Sequence, residues 1–475
     1  MLLDETKSLF RMHDIHPRKS LGQNFCVDKK LLDRMIEYAD LNKNDVVLEV
    51  GSGFGFLTCL LSDAAKHVIA VELDPKLPKI LKNRLKDREN VEIIQGNILE
   101  VELPRFDKVI ANPPYSISSP LIEYLLGKNF DLAVVTLQKE FAQRLTAQTG
   151  TADYGYLTVM ITYKADVEVL ELLPSETFYP PPIVESAVIR FRLRSPKFTV
   201  RDEAFFFKLA KHLFTQRNRR AGNPLESFLQ KIGRMDRTEA RRIAKILPLA
   251  EKRVCDMLPE DFGALSDKAY LIVHSKKFTF KGRSFYVFPQ IYEPSDDTFL
   301  LAEHLDAGEH AKVLDMGTGC GLLGTLAAEK AGCVVVADIN PYALECAGFN
   351  VTLNGMAEKV TPILSDLFSG FGPSDKFDLI IFNPPYLPID ERIRPSEWIE
   401  RAWYGGSDGR MIIDAFLAEA NRHVSKKGQI IMIQSSLSSP EKTMAALRKM
   451  EFSVETVAEK ELFFEKLVAI RAKKN

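Results

Sequence analysis

The sequence predicts an α/β protein with two doubly wound, mostly parallel sheets and a small helical segment between them. Three observations carry this. Short apolar runs alternate with helix-like segments twice along the chain, the pattern of strands linked by crossover helices. A glycine-rich turn follows the first strand of each set, at Gly51-Ser52-Gly53-Phe54-Gly55 and at Gly317-Thr318-Gly319-Cys320-Gly321. A strand ending in Asn-Pro-Pro-Tyr comes later in each set. Asn112 lies 61 residues past Gly51, and Asn383 lies 66 past Gly317. That shared register implies the same kind of sheet, built twice.

At 475 residues the chain has room for two or three domains. The reading divides it into 1–200, a helical segment 201–272, and 278–475, with Leu271–Lys277 as linker. Hydrophobic residues at 46% and charged residues at 27% describe a soluble globular protein. No run of about 18 apolar residues suggests a membrane span. The start, Met1-Leu2-Leu3-Asp4-Glu5, lacks the basic-then-apolar layout of a secretory signal. None of the six cysteines forms a C-x-x-C pair, so we expect reduced thiols, a cytoplasmic setting and no metal site. Between Arg190 and Arg253 stand 18 Lys/Arg and 6 Asp/Glu, a local +12 in a chain of net charge −1. A solvated helical surface gives such a count. So does a face that contacts phosphates and releases their counterions.

Taken in order, an amphipathic helix is expected from about Lys29 to Ala39. Val46–Val50 is a buried strand, and a helix begins near Phe56 after the glycine turn. Val68–Val71 is the second strand, ending at Glu72. Val91–Gln95 is the third, with Gly96-Asn97 at its tip. The strand before Asn112 is the fourth, and Asp131–Leu137 the fifth. Ligands of such sheets bind at the carboxyl ends of the strands. Glycines there allow close backbone approach. Glu72, 21 residues past Gly51, is placed to take two ribose hydroxyls. These features alone suit a nicotinamide dinucleotide as well as S-adenosylmethionine.

The Asn-Pro-Pro-Tyr turn separates the two. Proline cannot continue a central strand and biases the preceding residue toward extended conformations. The strand therefore ends in a stiff turn carrying an amide, bare carbonyls and an aromatic ring. An Asn oxygen and a Pro carbonyl can accept both N–H bonds of a planar amine. That favours the more tetrahedral, electron-rich nitrogen of a methyl-transfer transition state. The ring can hold the acceptor plane. Hydride transfer has no evident use for such a turn.

Residues from about 16 to 272 resemble the rRNA adenine N6-dimethyltransferases of the KsgA type. The resemblance rests on Leu21-Gly22-Gln23-Asn24-Phe25, Glu49-Val50-Gly51-Ser52-Gly53, Val71-Glu72-Leu73-Asp74, Gly96-Asn97, Asn112–Tyr115, Phe178-Tyr179-Pro180-Pro181-Pro182 and Val184-Glu185-Ser186-Ala187-Val188. It implies a Rossmann-like class I methyltransferase domain with S-adenosylmethionine contacts from Asn24, Cys26, Gly51, Glu72, Asn97 and Asn112. It implies that Asn112, Pro113, Tyr115 and Phe178 form the acceptor side, with Tyr115 and Phe178 holding a flipped adenine. The family usually has Leu at Cys26, Asp at Asn97 and Leu at Pro113. The helical, basic stretch from Asp202 to about Tyr270 would clamp RNA, with Arg217, Arg219, Arg220, Arg241 and Arg242 as candidates.

In the second half, Phe278–Phe288 alternates around Lys281-Gly282-Arg283 and reads as a hairpin. Tyr292-Glu293-Pro294-Ser295-Asp296-Asp297-Thr298 reads as a capped helix start. Lys312–Asp315 is a strand before the second glycine turn. Asp338 lies 21 residues past Gly317, the offset of Glu72, and Asp366 follows the next strand. Later strands are expected at Gln429–Gln434 and between Phe452 and Ala472. Residues from about 278 to 475 are similar to the HemK-like release-factor glutamine N5-methyltransferases, in the short archaeal and eukaryotic-type form. The matching residues are Tyr292–Phe299, Asp315–Gly319, Asp338, Asp366, Asn383–Tyr386 and Trp403–Gly409. The resemblance implies donor contacts from Thr298, Asp315, Gly317, Asp338, Asp366 and Asn383, and a glutamine amide gripped by Asn383, Pro384 and Tyr386. The same tetrapeptide also serves adenine and guanine amines. A small zinc-binding activator protein and a release factor are partners this resemblance implies.

The expectation is a bifunctional fusion. Its first half would dimethylate two adjacent adenosines of small-subunit (16S) rRNA during ribosome biogenesis, and its second would methylate a planar amine. An RNA-binding ribosome-assembly factor with little or no turnover is the rival from another class. A nicotinamide oxidoreductase is the second.

Overall fold

The computed structural model describes residues 2–18, 22–390, 392 and 395–475. Leu21, quoted above, and its neighbours Lys19 and Ser20 lie outside them. The chain divides into two compact units, 1–225 with 249–267 and 226–248 with 268–475. The helical segment read as 201–272 thus contributes to both units.

Among the described residues, the first unit has nine strands: β1 (Phe25–Cys26), β2 (Val46–Val50), β3 (His67–Glu72), β4 (Val91–Gln95), β5 (Lys108–Ala111), β6 (Leu132–Gln138), β7 (Ala165–Leu173), β8 (Phe178–Tyr179) and β9 (Ser186–Leu193). Seven form one sheet in the order β4-β3-β2-β5-β6-β9-β7. The strands from β4 to β6 run parallel, while β9 is antiparallel to both β6 and β7. The five parallel strands match the sequence reading. The β7 and β9 pair was not anticipated: β7 is an edge strand with Asp166, Glu168 and Glu171 among its apolar side chains, and it pairs with a strand that follows a further segment of chain. β5 is buried along its whole length, so Val109, Ile110 and Ala111 after Lys108 read as an apolar run rather than an alternating one. Lys108 keeps its charge satisfied there through Asp45, 2.9 Å away.

The second unit repeats the plan. Its strands are β10 (Lys276–Phe280), β11 (Arg283–Val287), β12 (Lys312–Met316), β13 (Cys333–Asp338), β14 (Val360–Leu364), β15 (Phe377–Phe382), β16 (Val424–Ser435), β17 (Phe452–Glu461) and β18 (Lys466–Lys474). The sheet order is β14-β13-β12-β15-β16-β18-β17. β10 and β11 form the expected hairpin. Lys281 and Gly282 both take positive φ, 48° and 75°, as a two-residue turn between right-twisted strands requires. The stretch 271–277 is mostly regular structure. The helix Pro259–Val273 runs into it and β10 starts at Lys276, leaving only His274 and Ser275 between.

In each sheet the chain steps outward from the first parallel strand, then returns to its other side. β2 lies between β3 and β5, and β12 between β13 and β15. That reversal opens a crevice at the carboxyl ends of those strands. Both glycine turns and both Asn-Pro-Pro-Tyr segments stand there. Among the described residues, no helix is long and apolar enough to cross a membrane.

Candidate functional site

The first crevice holds a cavity of ≈ 220 Å³ at the tips of β2, β3 and β5. Its floor is the glycine turn. Gly51 has φ 77°, and a Cβ there would lie 3.4 Å from the Pro114 ring. The turn leads into the helix Phe56–Ala64. Glu72, at the end of β3, is only 6% exposed. Its two oxygens accept from the backbone N–H groups of Gly53 and Asp74, both at 2.8 Å. Burial raises its pKa, while the Asp74 and Gly53 amides oppose the rise. Those bonds aim the carboxylate across the turn with lone pairs to spare, the arrangement a ribose diol needs.

All six donor-side candidates of the first half, Asn24, Cys26, Gly51, Glu72, Asn97 and Asn112, line this one cavity. Asn97 is held by its own loop: its amide donates to Glu100 at 2.9 Å and accepts from the Leu99 N–H at 3.2 Å. Cys26 is buried, and burial pushes its thiol up to about 12. Asn112 donates through Nδ2 to the Asn24 carbonyl at 3.4 Å, and its Oδ1 accepts from the Thr136 hydroxyl of β6. Thr136 was not among the candidates.

Pro113, Tyr115 and Phe178 do not line that cavity. Tyr115 shares a hydrogen bond with Ser186 Oγ, and burial pushes its phenol up to about 12. Phe178 is 2% exposed. The two rings meet edge to face, 6.5 Å apart at 79°. Phe178 belongs to β8, which pairs with β1 so that Cys26 opposes Phe178 and Phe25 opposes Tyr179. This short ladder joins the donor-side lead-in segment to the acceptor-side aromatic.

The second crevice is larger, ≈ 410 Å³. Thr298, Gly317, Asp338, Asp366, Asn383, Pro384 and Tyr386 all line it. Asp338 repeats the role of Glu72 in geometry: Oδ2 accepts from the Gly319 N–H and Oδ1 from the Asn340 N–H, both at 2.9 Å. Gly321 is tightly packed, since a Cβ there would lie 2.8 Å from the Ala347 backbone. Asp315 lies beneath the turn, where Oδ2 accepts from Thr318 Oγ1 at 2.6 Å and Gly324 N at 2.8 Å. Sequence reasoning missed two features. Asp297 is 5% exposed and touches both Asn383 and Tyr386. Trp398, Arg401 and Tyr404 add an outer wall that the first cavity lacks. Asp297 stood inside a quoted motif, but nothing distinguished it from Asp296.

Both crevices suit a cationic, ribose-bearing ligand. Each has a glycine turn under an aimed carboxylate. Among the described residues, each also has, close by, a buried carboxyl oxygen without a partner, Glu49 Oε2 lining the first cavity and Asp315 Oδ1 beneath the glycine turn of the second. Burial pushes Glu49 up to about 8 and Asp315 up to about 7. An acid whose pKa rises on folding stabilises the folded state fully below its unfolded value. That contribution is lost as pH rises toward the folded value. For Glu49 the window runs from about 4.5 to about 8. Glu49→Gln should raise the melting temperature at pH 8.5 by at least about 2 °C and leave it unchanged at pH 4.5. A calorimetric scan at each pH checks this, and equal shifts at both would contradict it.

The candidate RNA contacts differ in availability. Arg217 donates to the Thr151 and Tyr154 carbonyls at 2.9 and 3.3 Å. Arg220 pairs with Glu251, and Arg242 donates to the Leu353 carbonyl. Arg219, Arg220, Arg241 and Arg242 are all exposed, and Arg217 is half-buried.

Comparison with known proteins gives matches over both halves. Residues 15–260 match the model of ribosomal RNA adenine dimethylase, and residues 293–393 match the methyltransferase small domain. The "Probable ribosomal RNA small subunit methyltransferase A" of Methanothermobacter thermautotrophicus is 40% identical over 264 residues, covering 55% of this chain and 93% of its own. The protein of that name from Methanosarcina mazei is 40% identical over 255 residues, covering 53% and 92%. A crystal structure of a dimethyladenosine transferase from Plasmodium falciparum is 27% identical, covers 51% of this chain and 95% of that chain, and has a TM-score of 0.45.

Proposed function

Because the chain belongs to the ribosomal RNA adenine dimethylase family and is an S-adenosylmethionine-dependent methyltransferase, we propose a two-site enzyme of the translation apparatus. The first crevice dimethylates N6 of two adjacent adenosines in small-subunit (16S) rRNA. The second methylates a glutamine side-chain amide of a peptide release factor, or another planar amine. The functional divisions are 1–200 for the first catalytic domain, 201–272 for RNA binding and 278–475 for the second catalytic domain. The observation that carries the reading is the twin geometry: one Asn-Pro-Pro-Tyr turn beside one glycine turn and one aimed carboxylate in each crevice. It favours turnover over the assembly-factor alternative, which has no use for two complete sites. The six free thiols support a cytoplasmic setting.

Bound S-adenosylmethionine supplies a methyl group already activated on a sulfonium. Glu72 and Asp338 take its ribose hydroxyls, and the glycine turns admit its methionine end. In the first crevice Asn112 Oδ1 and the Pro113 carbonyl accept the two N–H bonds of adenine N6, which has left the base stack. Tyr115 and Phe178 hold the base. The nitrogen lone pair is thereby released from the ring and aimed, so positioning supplies most of the rate. The nitrogen becomes acidic only after it has gained the methyl, so its proton passes to water and no side chain is assigned as base. Asn383 and Pro384 do the same for the second acceptor, with Tyr386 against its plane. Incubating wild-type chain, labelled donor, under-methylated small subunits and purified release factor tests both halves. Label in N6,N6-dimethyladenosine and in a glutamine is expected. Absence of label in either acceptor would reject that half of the reading.

Arg219 and Arg241, each exposed on its own unit, carry RNA binding. Replacing both with alanine should weaken binding to small-subunit rRNA at every sequence and lower the slope of log affinity against log salt by about 1–2. A filter-binding series between low and moderate salt measures it. An unchanged slope would remove them from the interface.

A further inference from the structure

We propose that Asp297 is a positioning residue that sets the polarity of the second acceptor slot by fixing which end of the Asn383 amide faces the acceptor. The proposal rests on the methyltransferase reading of this crevice. An asparagine amide is nearly symmetric in shape, so its neighbours decide whether oxygen or NH2 points outward. In the first crevice Thr136 does so from β6, by donating to Asn112 Oδ1. The corresponding place on β16 has no hydroxyl. Ala111 aligns with Val135 and Phe382 with Met432, so Ile433 stands where Thr136 stood.

The second crevice fixes its amide from the other end. Asn383 Nδ2 donates to Asp297 Oδ2 at 3.2 Å and to Thr298 Oγ1 at 3.0 Å. The Tyr386 hydroxyl donates to the same Oδ2 at 2.9 Å, which also holds the ring. Asp297 Oδ1 accepts from the Thr298 N–H at 2.6 Å. A carboxylate only accepts, so an asparagine oxygen turned toward it would be repelled. The oxygen is left facing the acceptor's N–H bonds.

The consequence of Asp297→Asn follows from which neighbours can adapt. The Thr298 backbone N–H cannot turn round, so residue 297 keeps its oxygen there and turns its NH2 toward Asn383. Asn383 then flips to meet it and presents its own NH2 to the acceptor. The expected result is a fall in kcat of about 100-fold for transfer to purified release factor, with donor affinity by calorimetry unchanged. Adding Asn383→Asp to Asp297→Asn restores an accepting oxygen on the slot side and should recover at least about tenfold, whereas Asn383→Asp alone sets two carboxylates together and stays inactive. A second readout needs no acceptor. In the full-length, deuterated, 15N-labelled protein, the Asn383 side-chain N–H pair, assigned by its loss in Asn383→Ala, should be protected from exchange with water. In Asp297→Asn it should exchange freely. Unchanged protection, or kcat within a few-fold of wild type, would overturn the proposal. Wild-type chain that keeps the protected pair but transfers nothing to release factor would instead count against the glutamine reading alone.

Discussion

Asn112→Ala should lower methyl transfer to small-subunit rRNA by at least about 100-fold while transfer at the second crevice continues at the wild-type rate. The effect is large because the lost oxygen meets charge that develops only in the transition state. Donor binding should change little, since the bulk of the cavity lining remains, so the loss belongs in kcat rather than in the donor KM. Folding should lose about 1–3 kcal/mol, the cost of leaving the buried Thr136 hydroxyl without its acceptor. Asn383→Ala should give the mirror result, with rRNA methylation intact and the second acceptor unlabelled. Single-turnover assays with labelled donor and each acceptor separate the two. Retention of more than about a tenth of the wild-type rate in Asn112→Ala would remove its oxygen from the chemistry.

Glu72→Ala should abolish donor binding at one of two sites. Titration of the wild-type chain with S-adenosylmethionine should fit two donors per chain, Glu72→Ala one, Asp338→Ala one, and the double variant none. The carboxylate loses its contact with the ligand, and the Gly53 and Asp74 N–H groups lose their acceptor. The unsatisfied N–H groups cost folding, in free and bound chain alike; the lost bonds from two ribose hydroxyls to a charged acceptor, about 1.5–3 kcal/mol each, should lower affinity by at least about 100-fold. A wild-type stoichiometry of one would mean that only one glycine turn serves the donor. An unaltered stoichiometry in Glu72→Ala would place the ribose elsewhere.

Much of this was legible because it is local. A buried parallel strand is a short apolar run, and a glycine turn with an acidic tip 21 residues later is a spacing. What escaped depends on chain segments far apart in sequence. β7 and β9 close the first sheet through a long-range antiparallel ladder, and Glu168 and Glu171 disguise β7 as a polar segment. The pairing of Cys26 with Phe178 joins residues 152 apart. Asp296 and Asp297 look alike on paper. Only the fold puts one at the surface against Lys460, 2.9 Å away, and buries the other against Asn383. Charge counting found the basic stretch. It could not show that, of the two exposed neighbours Arg241 and Arg242, the second has its guanidinium held by the Leu353 carbonyl.

The helix Arg237–Ile246 stands in sequence between two segments of the first unit yet belongs with the later unit. Glu239 meets Lys277 at 2.7 Å and accepts from the Tyr286 hydroxyl. A gene divided at residue 275 would leave that helix with its footing on the wrong fragment. Silence from such a half-protein would report lost anchorage rather than missing chemistry, so point substitutions in the uncut chain are the sounder way to assign each reaction.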